Sequence, residues 1–134
     1  MTINNVASNS SKKRLWAGRI LTLLPVLFLL FDSTIHVLNI EPVVESFAEL
    51  GYPVGVARGL GILELVCLIV YLVPRTAILG AILLTGYLGG AVATHVRVAS
   101  PLFSTVLFPV YVGALLWGGL YLRDARLRAL IPSH

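Results

Sequence analysis

The stretch LWAGRILTLLPVLFLLFDSTIHVL, residues 15–38, decides the fold. It is almost entirely apolar, and Lys12, Lys13 and Arg14 precede it directly. A helix of about 20 apolar residues is long enough to cross the hydrocarbon core of a bilayer. The stretch is too long for the core of a secretory signal and lacks a small-residue cleavage site. It therefore predicts a retained membrane helix.

Three further apolar runs follow, at residues 54–73, 76–96 and 102–122. Only 12% of the residues are charged, against roughly 25% in an ordinary soluble domain. A bilayer admits only helices or closed barrels, because every backbone polar group has to be satisfied within the protein. The runs show no strand-like alternation. The sequence thus predicts an all-α protein, a transmembrane four-helix bundle over residues 15–122.

The segments outside the runs are interpreted from their composition. Residues 1–14, polar at their start, are predicted to form a disordered cytoplasmic tail, and residues 123–134 a basic cytoplasmic tail. Between the first two runs, EPVVESFAELG (residues 41–51) predicts a short amphipathic helix at the membrane surface, with an irregular loop as the alternative. Its apolar face would comprise Val43, Val44, Phe47 and Leu50, and its acidic face Glu41, Glu45 and Glu49.

The basic residues indicate the orientation of the runs. The formal net charge is +4, but these residues flank the runs instead of forming a stripe, so no nucleic-acid partner is predicted. One side of the bundle collects Lys12, Lys13, Arg14, Arg19, Arg75, Arg123, Arg126 and Arg128; the other has Arg58, Arg97 and the three loop glutamates. Since positive charge favours the cytoplasmic side, both termini are predicted to be cytoplasmic.

Small residues and prolines predict how the helices pack. Gly51, Gly55 and Gly59 are four residues apart, and so are Gly86, Gly90 and Thr94, which predicts two faces for close helix packing. Pro109 lies inside the fourth run and predicts a kink there.

The few ionisable groups within the runs all fall in the predicted outer half of the bilayer or near its midplane. Asp32 and His36 share one helix face at i, i+4, and Glu64 lies near the middle of the second run. Arg58 lies closer to the outer end. His95 and Arg97 close the third run on that side. Tyr87 precedes His95 by two helical turns, as expected for the wall of a pocket for a polar headgroup or a quinone carbonyl.

A charged side chain in hydrocarbon is costly, so Glu64 is expected to face the bundle axis and find a polar partner. His95 is the first predicted partner and Arg58 the second. The alternative is that Glu64 only holds the helices in register. No metal site is predicted, because Asp32, His36, Glu64 and His95 show no local ligand spacing. The single cysteine, Cys67, excludes a disulfide within the chain.

Residues 59–97, GLGILELVCLIVYLVPRTAILGAILLTGYLGGAVATHVR, resemble the DoxX-like family of small bacterial membrane proteins. The resemblance is carried by Gly61, Glu64, Leu65, Pro74, Arg75 and the segment LLTGYLGGAVATHVR that ends at His95 and Arg97. It implies a four-helix bundle in the bacterial cytoplasmic (inner) membrane. Relatives associated with quinone-linked thiosulfate oxidation make quinone the cofactor that the resemblance implies.

The leading hypothesis is a small membrane protein that binds a quinone or a membrane lipid in an outer polar pocket, as part of a membrane redox system. In this hypothesis Glu64 and His95 contact the ligand or move protons, Asp32 orients His36, and Arg58 and Arg97 hold negative charge. A non-enzymatic partner or assembly factor and a small oligomeric transporter are the alternatives. The sequence leaves open whether the protein is an enzyme, and whether it forms a homodimer or joins a redox partner subunit.

The charge distribution makes a testable prediction about topology. Reporter fusions placed within residues 41–51 and after His134 should report opposite sides of the membrane, with the C-terminal fusion in the cytoplasm, because eight basic residues lie on one side and two on the other. An external C-terminus would contradict the predicted orientation.

Overall fold

The computed structural model describes residues 2–53 and 55–131, which are mostly helical and contain no strand. The predicted all-α class is confirmed. Six α-helices follow one another: Thr2–Leu38 (α1), Glu41–Glu49 (α2), Val56–Leu72 (α3), Ala77–Arg97 (α4), Phe108–Arg123 (α5) and Ala125–Leu130 (α6). A single 3₁₀ turn, Pro74–Thr76, precedes α4, and a π-helical turn, Leu102–Val106, precedes α5.

Within the described part of the chain, three helical segments are long and apolar enough to cross a membrane, judged by length and composition: Asn9–Leu38, Pro74–Arg97 and Leu102–Arg123. Helix α3 is equally apolar but has only 17 residues, or about 25 Å at 1.5 Å per residue. Large apolar side chains are exposed on all four of these segments, for example Leu27, Ile62, Ile82 and Val110. Such a surface is typical of a protein that contacts lipid.

The four longest helices pack side by side around one core. Helix α1 packs against α3 and α5, and α4 packs against the same two helices. Tyr71 is fully buried in this core, where its hydroxyl donates to the carbonyl oxygen of Leu116 at 2.7 Å. The guanidinium of Arg123 lies 5.1 Å from the centre of the Tyr71 ring. A buried phenol with a satisfied hydroxyl therefore ties α3 to α5.

The N-terminal segment differs from the predicted disordered tail, because α1 begins at Thr2. Residues 9–14 are exposed, so this part of the helix is held by its own backbone hydrogen bonds. No glycine or proline interrupts residues 2–17. Once the apolar part of α1 has nucleated the helix, each added residue gains a bond at little cost.

The amphipathic helix predicted between the first two runs is confirmed as α2. Val43 is buried, Phe47 and Leu50 are half-buried, and the three glutamates are exposed. Val44 departs from the prediction, since 40% of it is exposed. The apolar face of α2 is thus narrower than its sequence indicated.

The kink predicted at Pro109 is wrong. The helix is interrupted before this residue, at Leu107, and Pro109 lies in the first turn of α5. In the first turn of a helix a backbone N–H has no carbonyl acceptor within the helix. Proline, which lacks this N–H, therefore loses no hydrogen bond there. The predicted fourth run is therefore divided into the π-helical turn and α5.

The predicted glycine faces do not form close helix contacts within the described residues. A Cβ atom added at Gly55, Gly59, Gly86 or Gly90 would meet nothing within 4 Å, and one at Gly51 would meet the Arg97 guanidinium at 3.8 Å. The glycines that lie closest to a neighbouring helix are Gly18, Gly61, Gly80 and Gly119. Regular spacing did not identify them, because close contact depends on which face each helix turns inward.

Arg126 joins the C-terminal helix to the turn between α3 and α4, and Asp124 holds Arg126 in place. The Asp124 carboxylate caps α6 by accepting from the backbone N–H groups of Arg126 at 2.8 Å and Leu127 at 3.2 Å. The hydrogen bond from the Arg126 guanidinium lowers the pKa of the Asp124 carboxyl. Arg126 also donates to the carbonyl oxygens of Pro74 and Arg75. The basic C-terminal segment is therefore anchored, at least through α6, to the bundle.

Gly80 gives a testable prediction for the α3–α4 contact. The Cβ of Gly80→Ala would collide with the backbone of Tyr71, so this variant should lose about 2 kcal/mol of unfolding free energy. Gly89→Ala, in the same helix but with open space around it, is the matched control and should keep wild-type stability. Unfolding in mild detergent measures both, and equal stability of the two variants would contradict the packing described here.

Candidate functional site

The candidate site begins at a close contact between α1 and α3, at Gly61. A Cβ atom at Gly61 would lie 2.7 Å from the Cβ of His36 and 2.9 Å from the carbonyl oxygen of Ser33. Ser33 is itself fully buried. Because residues three apart share a helix face, this contact also turns Glu64 toward α1.

Glu64 is fully buried, with 0% of its surface exposed. Neither of its carboxylate oxygens has a hydrogen-bond partner among the described residues. Leaving such a group unpaired costs several kcal/mol, so buried polar groups are nearly always bonded to protein, water or an ion. The prediction that Glu64 faces the interior is confirmed.

Asp32 and His36 are the groups that meet Glu64 from α1. One oxygen of Asp32, one of Glu64 and one ring nitrogen of His36 all lie within 4.8 Å of one another. His36 Nδ1 is 3.5 Å from the Asp32 carboxylate and also contacts the Asp32 carbonyl oxygen. These contacts support the prediction that Asp32 orients His36. The hydroxyl of Tyr87, from α4, lies beside the Glu64 carboxyl.

A cavity of about 520 Å³ lies next to these three residues. Asp32 and His36 are on its wall, while Glu64 is buried beside them. Its apolar wall includes Phe28, Leu29, Leu63, Leu88, Phe108 and Val112, and its polar wall adds Tyr52, Tyr87, Thr94 and His95. This volume and this mixture of groups are typical of a site for a small organic molecule.

The predicted partners of Glu64 are wrong. His95 lines the cavity but its Nδ1 lies 3.1 Å from the Ser100 hydroxyl, because His95 is eight residues, or about 12 Å, beyond Tyr87 along α4. Arg58 donates instead to the carbonyl oxygen of Val37 at 2.9 Å. Six residues before Glu64, Arg58 points about 120° away from it around α3.

Arg97 also lies outside the cluster formed by Asp32, His36 and Glu64. Its guanidinium donates to the carbonyl oxygen of Leu50, at the end of α2. Arg58 therefore ties the end of α1 to α3, and Arg97 ties the end of α2 to α4. Arg58 and Arg97 were predicted to hold negative charge, but neither contacts a carboxylate within the described residues.

Tyr52, Phe47 and Thr94 also line the cavity, and their place in the site was not predicted from the sequence. Tyr52 and Thr94 share a hydrogen bond of 2.7 Å between their hydroxyls. The ring of Phe47 lies between those of His36 and Tyr52, with ring centres 5.2 and 5.3 Å apart. No local pattern linked these residues, because α2 and the loop after it are brought over the cavity by tertiary packing alone.

The fold and the site together define a small all-helical membrane protein with a polar cluster beside an apolar cavity. The chain belongs to the DoxX-like family, whose profile matches residues 20–119. The predicted resemblance is confirmed, and the match includes Asp32, His36 and Glu64. No curated protein and no solved structure matches the chain.

The unpaired Glu64 carboxyl gives a testable prediction about its role. Glu64→Met should raise the unfolding free energy by about 1–3 kcal/mol, because it replaces an unsatisfied buried acid with an apolar side chain. Leu68→Met, one turn later and also fully buried, controls for methionine in the core and should cost less than about 1.5 kcal/mol. A loss of stability of about 3 kcal/mol or more on Glu64→Met would show that Glu64 instead holds the helices together.

Proposed function

We propose that the protein is a four-span protein of the bacterial cytoplasmic membrane that binds a quinone, or a lipid of similar shape, in the cavity beside Asp32 and His36. Helix α3 would be the fourth span, since it packs between α1 and α4 and needs only its flanking residues to reach membrane length. The distribution of basic residues supports cytoplasmic termini.

The observation that carries this proposal is the junction of polar groups and apolar walls in one cavity. A quinone headgroup is a flat ring with two carbonyl acceptors, and it needs hydrogen-bond donors at its edges. Tyr87 and His95 offer a hydroxyl and a ring nitrogen at the wall. Phe28, Leu63 and Phe108 line the cavity and are also 37–50% exposed. An isoprenoid tail could therefore leave the cavity along a surface that contacts lipid.

The polar cluster would exchange protons with the bound headgroup. Reduction of a quinone to a quinol takes up two electrons and two protons. Asp32, His36, Glu64 and Tyr87 form a short row of groups that can carry protons, and the row starts at the cavity wall. The electrons would come from a redox partner subunit, which places this chain in a membrane redox system rather than making it an independent enzyme.

A second candidate function is that of a partner subunit or assembly factor. Gly86, Gly89 and Gly90 of α4 have open space around them. Because Gly86 and Gly90 also line the cavity, a helix packed there would take the place of the ligand. In a bilayer, strips of small residues let another helix approach closely. A second copy of this chain or a different membrane subunit would fit there.

Filling the cavity tests the proposed ligand site. Ala91→Phe places a ring inside the cavity and should reduce the quinone or lipid retained after gentle purification by about tenfold, or about 1.4 kcal/mol. Ile82→Phe adds the same ring on the exposed face of α4 and should retain wild-type amounts. Native mass spectrometry and solvent extraction measure the retained ligand. Equal ligand retention in the two variants would show that the cavity is not the ligand site.

A further inference from the structure

The Asp32, His36 and Glu64 side chains combine three donors of the kind that bind transition metals. Each can offer one ligand atom, and the three atoms lie within 4.8 Å of one another. The three residues come from two helices. Asp32 and His36 are one turn apart on α1, and Glu64 lies on α3. Around one zinc-sized ion, ligand atoms about 2.0–2.2 Å from the metal would lie about 3–4 Å apart. Small side-chain rotations would bring the three ligand atoms from within 4.8 Å of one another to this shorter separation.

Glu64 supplies an independent observation that points to a ligand. Its side chain is fully buried beside Asp32 and His36, and both of its oxygens lack partners among the described residues. A buried carboxyl has to be compensated by a proton, a hydrogen bond or a cation. The described side chains next to it are those of Asp32, His36 and Tyr87, and no lysine or arginine among the described residues pairs with the cluster.

The charges around the cluster favour a cation. Asp32 and Glu64 can together bring two negative charges into an apolar interior, and the neighbouring basic side chains are used elsewhere. Arg58 and Arg97 bond to backbone carbonyl oxygens at the outer ends of the helices. A divalent ion would make the site neutral, which is the arrangement that costs least in a medium of low polarity.

We propose that Asp32, His36 and Glu64 form a binding site for a divalent transition-metal ion beside the cavity. One imidazole with two carboxylates suits ions such as Zn²⁺, Co²⁺, Mn²⁺ or Fe²⁺, whereas Mg²⁺ and Ca²⁺ prefer oxygen ligands alone. Three protein ligands leave a position open for water or for an atom of a bound molecule. The ion would enter from the cavity, since Asp32 and His36 are on its wall with 28% and 13% of their side chains exposed.

The site can be tested with Co²⁺ as the probe, added to the purified, delipidated full chain in mild detergent. The wild type should develop visible absorption that saturates at a single equivalent and is displaced by Zn²⁺. Glu64→Gln and His36→Gln should each weaken Co²⁺ binding at least about tenfold. Glu45→Gln, an exposed carboxylate on α2, and His134→Gln, outside the described residues, should bind as the wild type does.

Two results would overturn the proposal: no saturable Co²⁺ spectrum in the wild type, or wild-type Co²⁺ affinity in folded Glu64→Gln and His36→Gln. If the cluster variants fail to fold, a protection assay on the wild type tests the site instead. Zn²⁺ should protect Glu64 from modification by a hydrophobic carbodiimide, mapped by peptide mass spectrometry, and equal modification with and without Zn²⁺ contradicts the site. No quinone is present in these assays, so their failure leaves the proposed quinone or lipid site standing.

Discussion

The contact between α1 and α3 at Gly61 is the constraint on which the candidate site depends. Because Gly61 has no side chain, the backbone of α3 can approach Ser33 and His36 to a distance that a Cβ atom would prevent. This approach brings Glu64, one turn later, against Asp32 and His36. A glycine at one position of α3 thus places three ionisable side chains together in an otherwise apolar protein.

The cluster is a local cost that the rest of the fold has to offset. A buried carboxyl without partners opposes folding, while the surrounding core of leucines and Tyr71 favours it. Residues that break a folding rule in this way are concentrated at functional sites, where chemistry requires a reactive or unpaired group. The cavity beside Asp32 and His36 leaves room for a bound molecule next to such a group, whereas a fully packed interior would leave none.

The main features of the fold could be predicted from the sequence because each has a local physical cause. Long apolar runs predict helices, and the spacing of Val43, Phe47 and the glutamates predicts α2. The pairing of Asp32 with His36 follows from their i, i+4 spacing. Contacts between helices have no such local cause, since they depend on how each helix is rotated. For this reason Glu64 was correctly predicted to face inward, but its neighbours, Tyr87 among them, could not be predicted from the sequence.

The close approach at Gly61 creates the polar cluster, and one pair of variants tests this dependence directly. Gly61→Ala should push α3 away from α1, whereas Gly59→Ala, two residues earlier, meets open space. The measurement is Co²⁺ affinity together with ligand retention at matched folded yield. We predict that Gly61→Ala loses both while Gly59→Ala keeps both. Wild-type Co²⁺ affinity and ligand retention in a folded Gly61→Ala variant would contradict the account.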